Sequence, residues 1–379
     1  MTTQTILARV SHGNEPIIRA LKIASHFPEC DIVLPVPQSK AAFLGEIANG
    51  NNVDKKRVYI DTVAHALADG MGLYWGGDLS HEQWVANNTT YMDHMDRILK
   101  DHYGHFWAKN LDGEEKNFEA QNVKMVLNIG DFYDQLGVDA PVVYEFPYRH
   151  GALFQKSRSA GYAGFGKFLE AREKQRSVSF VPLIHSLYHD SRYRPLGNEE
   201  FAPHMKEEPA DFDLALPENS IGMVFSGTGK KVDVLKRIAA HSTHPIVTGT
   251  FSPVEGDRYV KMEPPRAEFV HVYAKPQILA VVGQTGYGML GNTWNAGKPV
   301  ISPVFEEGDD QEFIHNLRTI KKLGLGVVVE TPDQIDAAVE KSQACVEAVL
   351  IMNQRIRKEF ETLDGPSYVA RRIRELGLY

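Results

Sequence analysis

The sequence repeats one pattern in two series: a short apolar segment, an amphipathic segment, then another short apolar segment. The first series contains the strand candidates TILARV, DIVLPV and RVYID, and EPIIRALKIASHF between the first two places its apolar residues on one helical face. The second series runs from IGMVF through VDVLKRIAA and PIVTGT to ILAVV, PVISPV and GVVV. Strands that alternate with helices at this spacing indicate parallel sheets covered by helices. The sequence therefore predicts an α/β protein with two Rossmann-like domains that face each other across a cleft.

Breaks in this rhythm predict the domain boundaries. The chain has 379 residues, which is too many for one ordinary core. Residues 196–219 carry three prolines and many acidic residues with little periodicity, a composition typical of a linker. Residues 62–120 contain three of the four tryptophans and a predicted helix, so we expect a helical insertion there. We predict a first domain at 1–195, a linker at 196–219, a second domain at 220–345 and C-terminal helices at 346–379.

Composition narrows the kind of partner. The net charge of −8 argues against a large nucleic-acid-binding surface. Cys30 and Cys345 are the only cysteines, which is too few for a disulfide framework or a cysteine metal site. The N-terminal segment lacks the features of a secretory signal, and no apolar run approaches the roughly 20 residues that span a bilayer. We therefore expect a cytoplasmic protein without a transmembrane segment, which binds a small molecule rather than nucleic acid.

Two glycine-rich segments follow predicted strands of the second series. SGTG occupies 226–229, and VVGQTGYGMLGN occupies 281–292. Open α/β sheets bind ligands at the carboxyl ends of their strands, where these segments are expected. Glycine there lets backbone N–H groups and a helix N-terminus approach an anion, typically phosphate. The alternative is a tight turn between strand and helix that needs glycine for a positive φ.

The run from Ile278 to Val329 resembles the C-terminal donor-binding domain of GT-B fold glycosyltransferases. The nearest resemblance is to macrolide and plant UDP-glycosyltransferases and to the GlcNAc transferase of lipid II synthesis. SGTG matches the glycine-rich loop after the first strand of that domain. The other matching residues are Gln284-Thr285-Gly286, Asn292, Gly297-Lys298-Pro299, Val300 to Val304, Asp310-Gln311, Asn316 and Leu323-Gly324.

The resemblance implies a glycosyltransferase that moves a sugar from a nucleotide-diphosphate sugar to an acceptor hydroxyl. It implies that the first domain binds the acceptor, that the second binds the nucleotide sugar, and that the final helices pack back on the first domain. The mechanism of the family needs no metal and no cofactor, and a UDP- or dTDP-linked sugar is the expected co-substrate. Inversion at the anomeric carbon is favoured because a His/Asp base fits it.

The resemblance also assigns donor-site residues. Gln284 stands where many relatives have a phosphate-binding His, and an amide donates an N–H but carries no positive charge. Asn292 stands where a Glu usually binds the ribose hydroxyls, and an amide bonds a hydroxyl less strongly than a carboxylate does. Asp310 and Gln311 are assigned to the donor sugar, with an ordinary helix start as the alternative. The expected nucleotide-sugar-binding residues are Gly227, Thr228, Gly229, Gln284, Thr285, Gly286, Gly288, Asn292, Asp310 and Gln311.

The acceptor side is predicted from the first series. The loop SHGN at 11–14 lies where related enzymes carry a catalytic His, and Asp131 resembles the Asp that activates it. The resemblance thus assigns His12 as the general base for the acceptor hydroxyl, with Asp131 to orient and stabilise the imidazolium. A loop or capping role for His12 and a helix-cap role for Asp131 stay open. Glu15 is a reserve base.

The sequence also offers other candidate sites and functions. The pairs His185/His189 and His102/His105 have spacings that a metal could use, but no acid or cysteine set completes a site, so no metal site is predicted. A nucleotide-sugar 2-epimerase or hydrolase on the same fold is one alternative function. A non-catalytic nucleotide-sugar-binding subunit is the other, because the usual His and Glu are replaced.

Overall fold

A computed structural model gives the architecture of the chain. It divides into two compact units: the first comprises Met1–Pro182, Arg194–Ala202 and Pro366–Tyr379, and the second comprises Leu183–Tyr193 and Pro203–Gly365. The structure describes residues 4–11, 13–70, 81–133, 136–146, 149–155, 160–183, 195–225, 229–250, 252–264, 268–305 and 311–379.

The first unit is built on a large sheet. Its strands are β1 (Gln4–Val10), β2 (Cys30–Leu34), β3 (Val58–Ile60), β4 (His105–Asn110), β5 (Glu115–Glu119), β6 (Val123–Ile129), β7 (Val142–Glu145), β8 (Val178–Pro182) and β9 (Glu199–Ala202). Its helices in the first 182 residues are α1 (Asn14–Ala24), α2 (Ala41–Gly50), α3 (Thr62–Gly70), α4 (His81–Gly104), α5 (His150–Gln155) and α6 (Ala160–Glu173).

The order of the described strands in this sheet is β5-β4-β3-β2-β1-β6-β7-β8-β9. The strands are parallel except that β4 is antiparallel to both of its neighbours. The central strands are buried along nearly their whole length, which is why they read as continuous apolar runs rather than as alternating ones. The chain starts at β1, adds strands on one side, and then returns to add β6 on the other, so strand order reverses between β1 and β6.

The segment predicted as a helical insertion contains more than helices. After α3 and α4 the chain forms the antiparallel pair β4 and β5, which extends the edge of the sheet beyond β3. In β4 the side chains of Phe106 and Ala108 are buried, whereas Trp107 is 60% exposed. Phe106 stacks on Phe118 of β5 with ring centroids 5.3 Å apart. This alternation has the period of two that defines a half-buried strand, so the helical prediction does not hold for 105–119.

The segment predicted as a linker begins with a strand. Residues Glu199–Ala202 pair in parallel with β8, and the backbone N–H of Ser179 donates to the carbonyl of Asn198 at 2.8 Å. Phe201 is 38% exposed and Ala202 is buried. An edge strand with so little apolar burial shows no hydrophobic run in sequence, because backbone hydrogen bonds supply its pairing.

The second unit has the strand order of a doubly wound α/β fold. Its strands are β10 (Ser220–Val224), β11 (Ile246–Gly249), β12 (Tyr259–Met262), β13 (Ile278–Gly283), β14 (Val300–Pro303) and β15 (Gly326–Val329), and its helices are α7 (Gly229–His241), α8 (Val270–Tyr273), α9 (Tyr287–Asn295), α10 (Gln311–Leu323), α11 (Ile335–Ser342) and α12 (Val346–Phe360). The described strands are all parallel, in the order β12-β11-β10-β13-β14-β15. Counted within the unit this is 3-2-1-4-5-6, the Rossmann order. The predicted α/β class with two Rossmann-like domains is confirmed.

The two C-terminal helices attach to different units. Helix α12 belongs to the second unit, where Asn353 Nδ2 donates to the carbonyl of Trp294. The last helix, α13 (Gly365–Glu375), lies almost wholly in the first unit, where Arg372 forms an ion pair with Glu200 at 3.1 Å. The ring of Tyr379 packs on Phe27 with centroids 4.5 Å apart. Among the described helices, none is both long and apolar enough to cross a bilayer.

Candidate functional site

The two glycine-rich loops of the second unit leave adjacent strands at the same edge of the sheet. Strands β10 and β13 are parallel neighbours, with Val224 opposite Gly283 at their carboxyl ends. The loop after β10 leads to α7, which begins at Gly229, and the loop after β13 leads to α9. Strand order reverses between these two strands, and this is the point where doubly wound sheets bind ligands. Gly227 and Thr228, predicted to bind the donor, lie outside the described residues.

Glycines 283 and 286 allow close approach at this edge. A Cβ added to Gly283 would lie 3.2 Å from Val224 Cβ and 3.1 Å from Met289 Cε, so a side chain there would crowd the neighbouring strand and α9. Gly286 has φ −70° and ψ 151°, an extended conformation open to any residue. A tight turn with positive φ therefore does not explain Gly286; a small residue there fits against the Phe313 ring, 3.3 Å from an added Cβ, and leaves the α9 N-terminus open.

The loop between β13 and α9 is tied to α10. Thr285 Oγ1 donates to the carbonyl of Phe313 at 2.9 Å, and Asn316 Nδ2 donates to the carbonyl of Thr285 at 2.6 Å. The backbone N–H of Tyr287 donates to Glu312 Oε1 at 2.8 Å. Asn316 thus holds the backbone of the loop, and Glu312, which sequence reasoning did not single out, takes the first N–H of α9.

The remaining donor-site residues lie around this helix start. Gln284 and Thr285 are buried, at 1% and 0% exposure. Gly288 lies in the first turn of α9, and Asn292 lies one turn further along. Among the described residues Asn292 Oδ1 is buried without a hydrogen-bond partner, so this amide oxygen is not committed to the protein scaffold. Gln311 is the first residue of α10, and Asp310 lies outside the described residues.

The first unit has an equivalent edge, where β1 and β6 end together. Val10 is opposite Ile129, and the N–H of Ser11 donates to the carbonyl of Ile129 at 3.0 Å. Gly13, with φ 111°, takes the left-handed conformation that starts α1, and Glu15 in the first turn faces Arg19 at 3.7 Å. His12, the predicted base, lies outside the described residues.

Asp131 is a buried, ion-paired carboxylate at this edge. Its side chain is 5% exposed, and Oδ2 accepts from Arg9 Nη2 at 2.8 Å. Oδ1 accepts from the backbone N–H of Tyr133 at 3.1 Å, and the carboxylate lies close enough to Tyr133 to help burial raise the pKa of that phenol. Arg9 also donates to Tyr103 Oη at 3.2 Å. The bond to Tyr133 closes a local turn and does not cap a helix, because the described residues between Asp131 and β7 form no helix. The sequence does not identify Arg9 as the partner of Asp131, because Arg9 lies within the apolar strand segment TILARV.

A His–Asp pair, His102 and Asp61, lies at the end of β3. Asp61 is fully buried; its Oδ1 accepts from the N–H of Ala64, and its Oδ2 lies 2.7 Å from His102 Nε2. The two residues are 41 positions apart, so no local motif links them. His105, the other member of the pair weighed as metal ligands, is exposed at the start of β4, and 185–189 lie outside the described residues. Within the described ranges, no three His, Cys, Asp or Glu side chains come together in an arrangement that could hold a metal ion.

Two buried histidines are kept neutral by their surroundings. Burial lowers the pKa of His150 to about 3, with a smaller contribution from the charge of Arg176, and its Nδ1 lies 2.9 Å from Tyr144 Oη. Burial alone lowers the pKa of His204 to about 4. The His204 ring lies against Trp294, with centroids 5.4 Å apart. Neither histidine can therefore supply positive charge to a bound phosphate near neutral pH.

Comparison with known proteins identifies the fold. No protein-family model and no curated protein sequence matches the chain. Three solved structures illustrate the match. A UDP-glucosyltransferase from Polygonum tinctorium gives a TM-score of 0.64 at 12% identity over 99% of this chain and 98% of that one. The glycosyltransferase SnogD from Streptomyces nogalater gives 0.58 at 13% identity over 99% of each chain. Arabidopsis thaliana UGT89C1, in complex with UDP-L-rhamnose, gives 0.60 at 9% identity over 99% and 100%.

At these identities the likeness concerns the fold, and it extends over nearly the whole chain. The resemblance predicted from the sequence is confirmed at this level: the chain has the GT-B fold of these glycosyltransferases.

Proposed function

We propose that the protein is a glycosyltransferase that moves a sugar from a nucleotide-diphosphate sugar to an acceptor hydroxyl. The observation that carries the proposal is the pair of glycine-rich loops on β10 and β13, at the point where strand order reverses in the second unit. The chain shares its fold with proteins described as glycosyltransferases, one of them in complex with UDP-L-rhamnose. A UDP- or dTDP-linked sugar is the proposed co-substrate.

The second unit takes the donor in this proposal. The backbone N–H groups at the start of α9 would face the diphosphate, where backbone donors and the helix dipole stabilise negative charge. Gln284 would donate an amide N–H in place of the usual imidazole. Asn292 would bond a donor hydroxyl through its uncommitted amide oxygen. In this proposal these donors would stabilise the charge of the diphosphate without a metal, so the transfer is metal-independent.

The first unit takes the acceptor. His12 would remove the proton of the acceptor hydroxyl as this oxygen attacks the anomeric carbon, with inversion of configuration. Asp131 lies just after the end of β6, next to the strand that leads into the His12 loop, and its carboxylate is held by the Arg9 guanidinium at 2.8 Å. A carboxylate fixed in this way can orient an imidazole and stabilise its protonated form.

A thermal-shift screen against UDP-, dTDP- and GDP-sugars tests the proposal most directly. A ligand present at 100 times its Kd and bound only to the folded state stabilises that state by about 2.7 kcal/mol, which shifts the unfolding midpoint measurably. We expect the UDP- or dTDP-sugars to give the shift and the GDP-sugars to give none.

Turnover then separates transfer from its alternatives. The nucleotide sugar that binds best is incubated with and without acceptors. A glycosyltransferase releases the nucleotide from it only when an acceptor is present. Formation of an epimer or of free nucleotide without any acceptor would identify a 2-epimerase or hydrolase instead. Tight binding with no nucleotide released across a broad acceptor panel would identify a non-catalytic nucleotide-sugar-binding subunit.

A further inference from the structure

The N-terminus of α9 holds a carboxylate of the chain itself. Tyr287 is the first residue of α9, so its N–H has no partner inside the helix. Glu312, in the first turn of α10, accepts this N–H through Oε1 at 2.8 Å. A helix N-terminus favours an anion, and here a side-chain carboxylate occupies that position.

The position of this carboxylate is fixed by bonds on either side of it. Thr285 Oγ1 bonds the carbonyl of Phe313, the residue after Glu312, and Asn316 Nδ2 bonds the carbonyl of Thr285. These bonds join the start of α10 to the loop that leads into α9. The hydrogen bond from the α9 N-terminus to Glu312 is therefore one of three that join α9, α10 and the loop between β13 and α9.

We infer that Glu312 competes with the diphosphate of the donor and thereby sets how strongly this site binds phosphate. The inference rests on the proposed function. A phosphate oxygen that takes the N–H of Tyr287 must displace Glu312 Oε1, and a phosphate that binds beside it meets a like charge. Both effects act on the phosphates and not on the nucleoside, so the contribution of Glu312 grows with the number of phosphates on the ligand.

Calorimetric binding of uridine, UMP and UDP to the full chain tests this inference, and dTDP is measured beside UDP because either nucleotide fits the proposed function. Glu312→Gln keeps an acceptor oxygen for Tyr287 and removes only the charge. We expect its affinity for UDP to rise about tenfold, its affinity for UMP to rise less, and its affinity for uridine to stay unchanged. Glu312→Ala, which removes both charge and acceptor, should show the same order of effects. Glu340→Gln is the matched control, since it removes one negative charge from an exposed position on α11.

Each outcome decides the inference. If the wild-type protein binds UDP and neither Glu312 variant binds it more tightly, the inference is overturned and the proposed function is unaffected. An equal rise for uridine, or an equal rise in Glu340→Gln, also overturns it. If neither the wild-type protein nor any variant binds UDP or dTDP, both proposals are overturned. If only the Glu312 variants bind UDP, both proposals are supported. Thermal unfolding without ligand confirms that each variant is folded.

Discussion

Asp131 serves two neighbours with one carboxylate. Oδ2 is paired with the fully buried Arg9, and Oδ1 accepts the backbone N–H of Tyr133. If His12 is the base, the same carboxylate also orients an imidazole. The structural contribution and the catalytic contribution of Asp131 can be measured separately, because only the first acts on the folded state in the absence of substrate.

We expect Asp131→Asn to destabilise the protein by about 3 kcal/mol, because it leaves the charge of Arg9 buried without its carboxylate. His12→Ala should leave stability nearly unchanged and lower kcat by roughly 10²- to 10⁴-fold. Chemical unfolding and steady-state kinetics on both variants check this. The double variant Arg9→Met, Asp131→Leu should recover much of the lost stability, since it removes both charges. Full turnover by His12→Ala would move the base to Glu15.

His204 makes stability depend on pH. Its pKa is about 4 in the folded protein and about 6.5 in an unfolded chain, so the unfolded state takes up the proton first as pH falls. The stability that the neutral ring contributes is complete above pH 6.5 and is lost between about 6.5 and 4, at up to ~1.4 kcal/mol per pH unit. Urea unfolding of wild type and His204→Phe at several pH values measures this slope.

We expect the Phe variant to show a shallower loss of stability over this range, because no group titrates at position 204. The substitution should fold, since both nitrogens of His204 lack hydrogen-bond partners among the described residues and the ring lies against Trp294. Parallel slopes for the two proteins would show that His204 is protonated in the folded state as readily as in the unfolded one.

At the scale of elements, the predictable parts are those whose burial fixes a sequence pattern. Central strands such as β1 and β13 are buried on both faces and read as apolar runs. Strands β4 and β9 lie toward the edges and show weak or alternating patterns, so the sequence predicts a helical insertion over 105–119 and a linker over 199–202, where the structure has strands. Glu312 of α10 contacts α9, and strand β14 separates these two helices along the chain. The spacing of residues in the sequence therefore does not predict this contact.

Gly286 gives a prediction about the loop between β13 and α9. An added Cβ would lie 3.3 Å from the Phe313 ring, which a small ring shift relieves, and the extended φ suits an L-residue. Gly286→Val should therefore change the free energy of unfolding by about 1 kcal/mol or less. The same side chain should block phosphate from the α9 N–H groups and weaken UDP binding about 10- to 100-fold.

Calorimetry with UDP checks the loss, and Gly249→Val at the end of β11 is the control. Its added Cβ would lie at an ordinary 3.5 Å from the Phe269 ring, and β11 is not one of the two strands at the reversal of order. We expect the control to bind UDP as wild type does. Undiminished UDP binding by Gly286→Val would remove this loop from the donor site.

At the scale of the whole molecule, the short last helix contributes to the core of the first unit. Helix α13 follows a long stretch of the second unit but packs in the first, where Val369 and Ile373 are fully buried. Arg372 pairs with Glu200 on the edge strand β9. The first unit is therefore complete only when the end of the chain is in place.

Deletion of 366–379 should destabilise the first unit by about 3–6 kcal/mol, from the loss of the two buried side chains alone. The second unit should retain its unfolding midpoint and its affinity for UDP. Scanning calorimetry with and without UDP checks this, because the nucleotide should raise only the transition of the second unit. Arg371→Ala, a substitution at a half-exposed position of the same helix, is the control. A parallel fall of both transitions would show that the units unfold together.

The adjacency of β10 and β13 also bears on how the protein comes to be folded. Val224 and Gly283 are paired across the sheet although 59 positions separate them, whereas Ile221 and Ile246, which join β10 to β11, are 25 positions apart. Contacts between distant parts of a chain form more slowly than local ones, because the entropy cost of closing a longer loop precedes the stabilisation that the contact gives. The half sheet β10-β11-β12 can thus assemble before β13 joins it. In the proposed function nucleotide binding needs both glycine-rich loops, so it would appear only after β13 has joined β10.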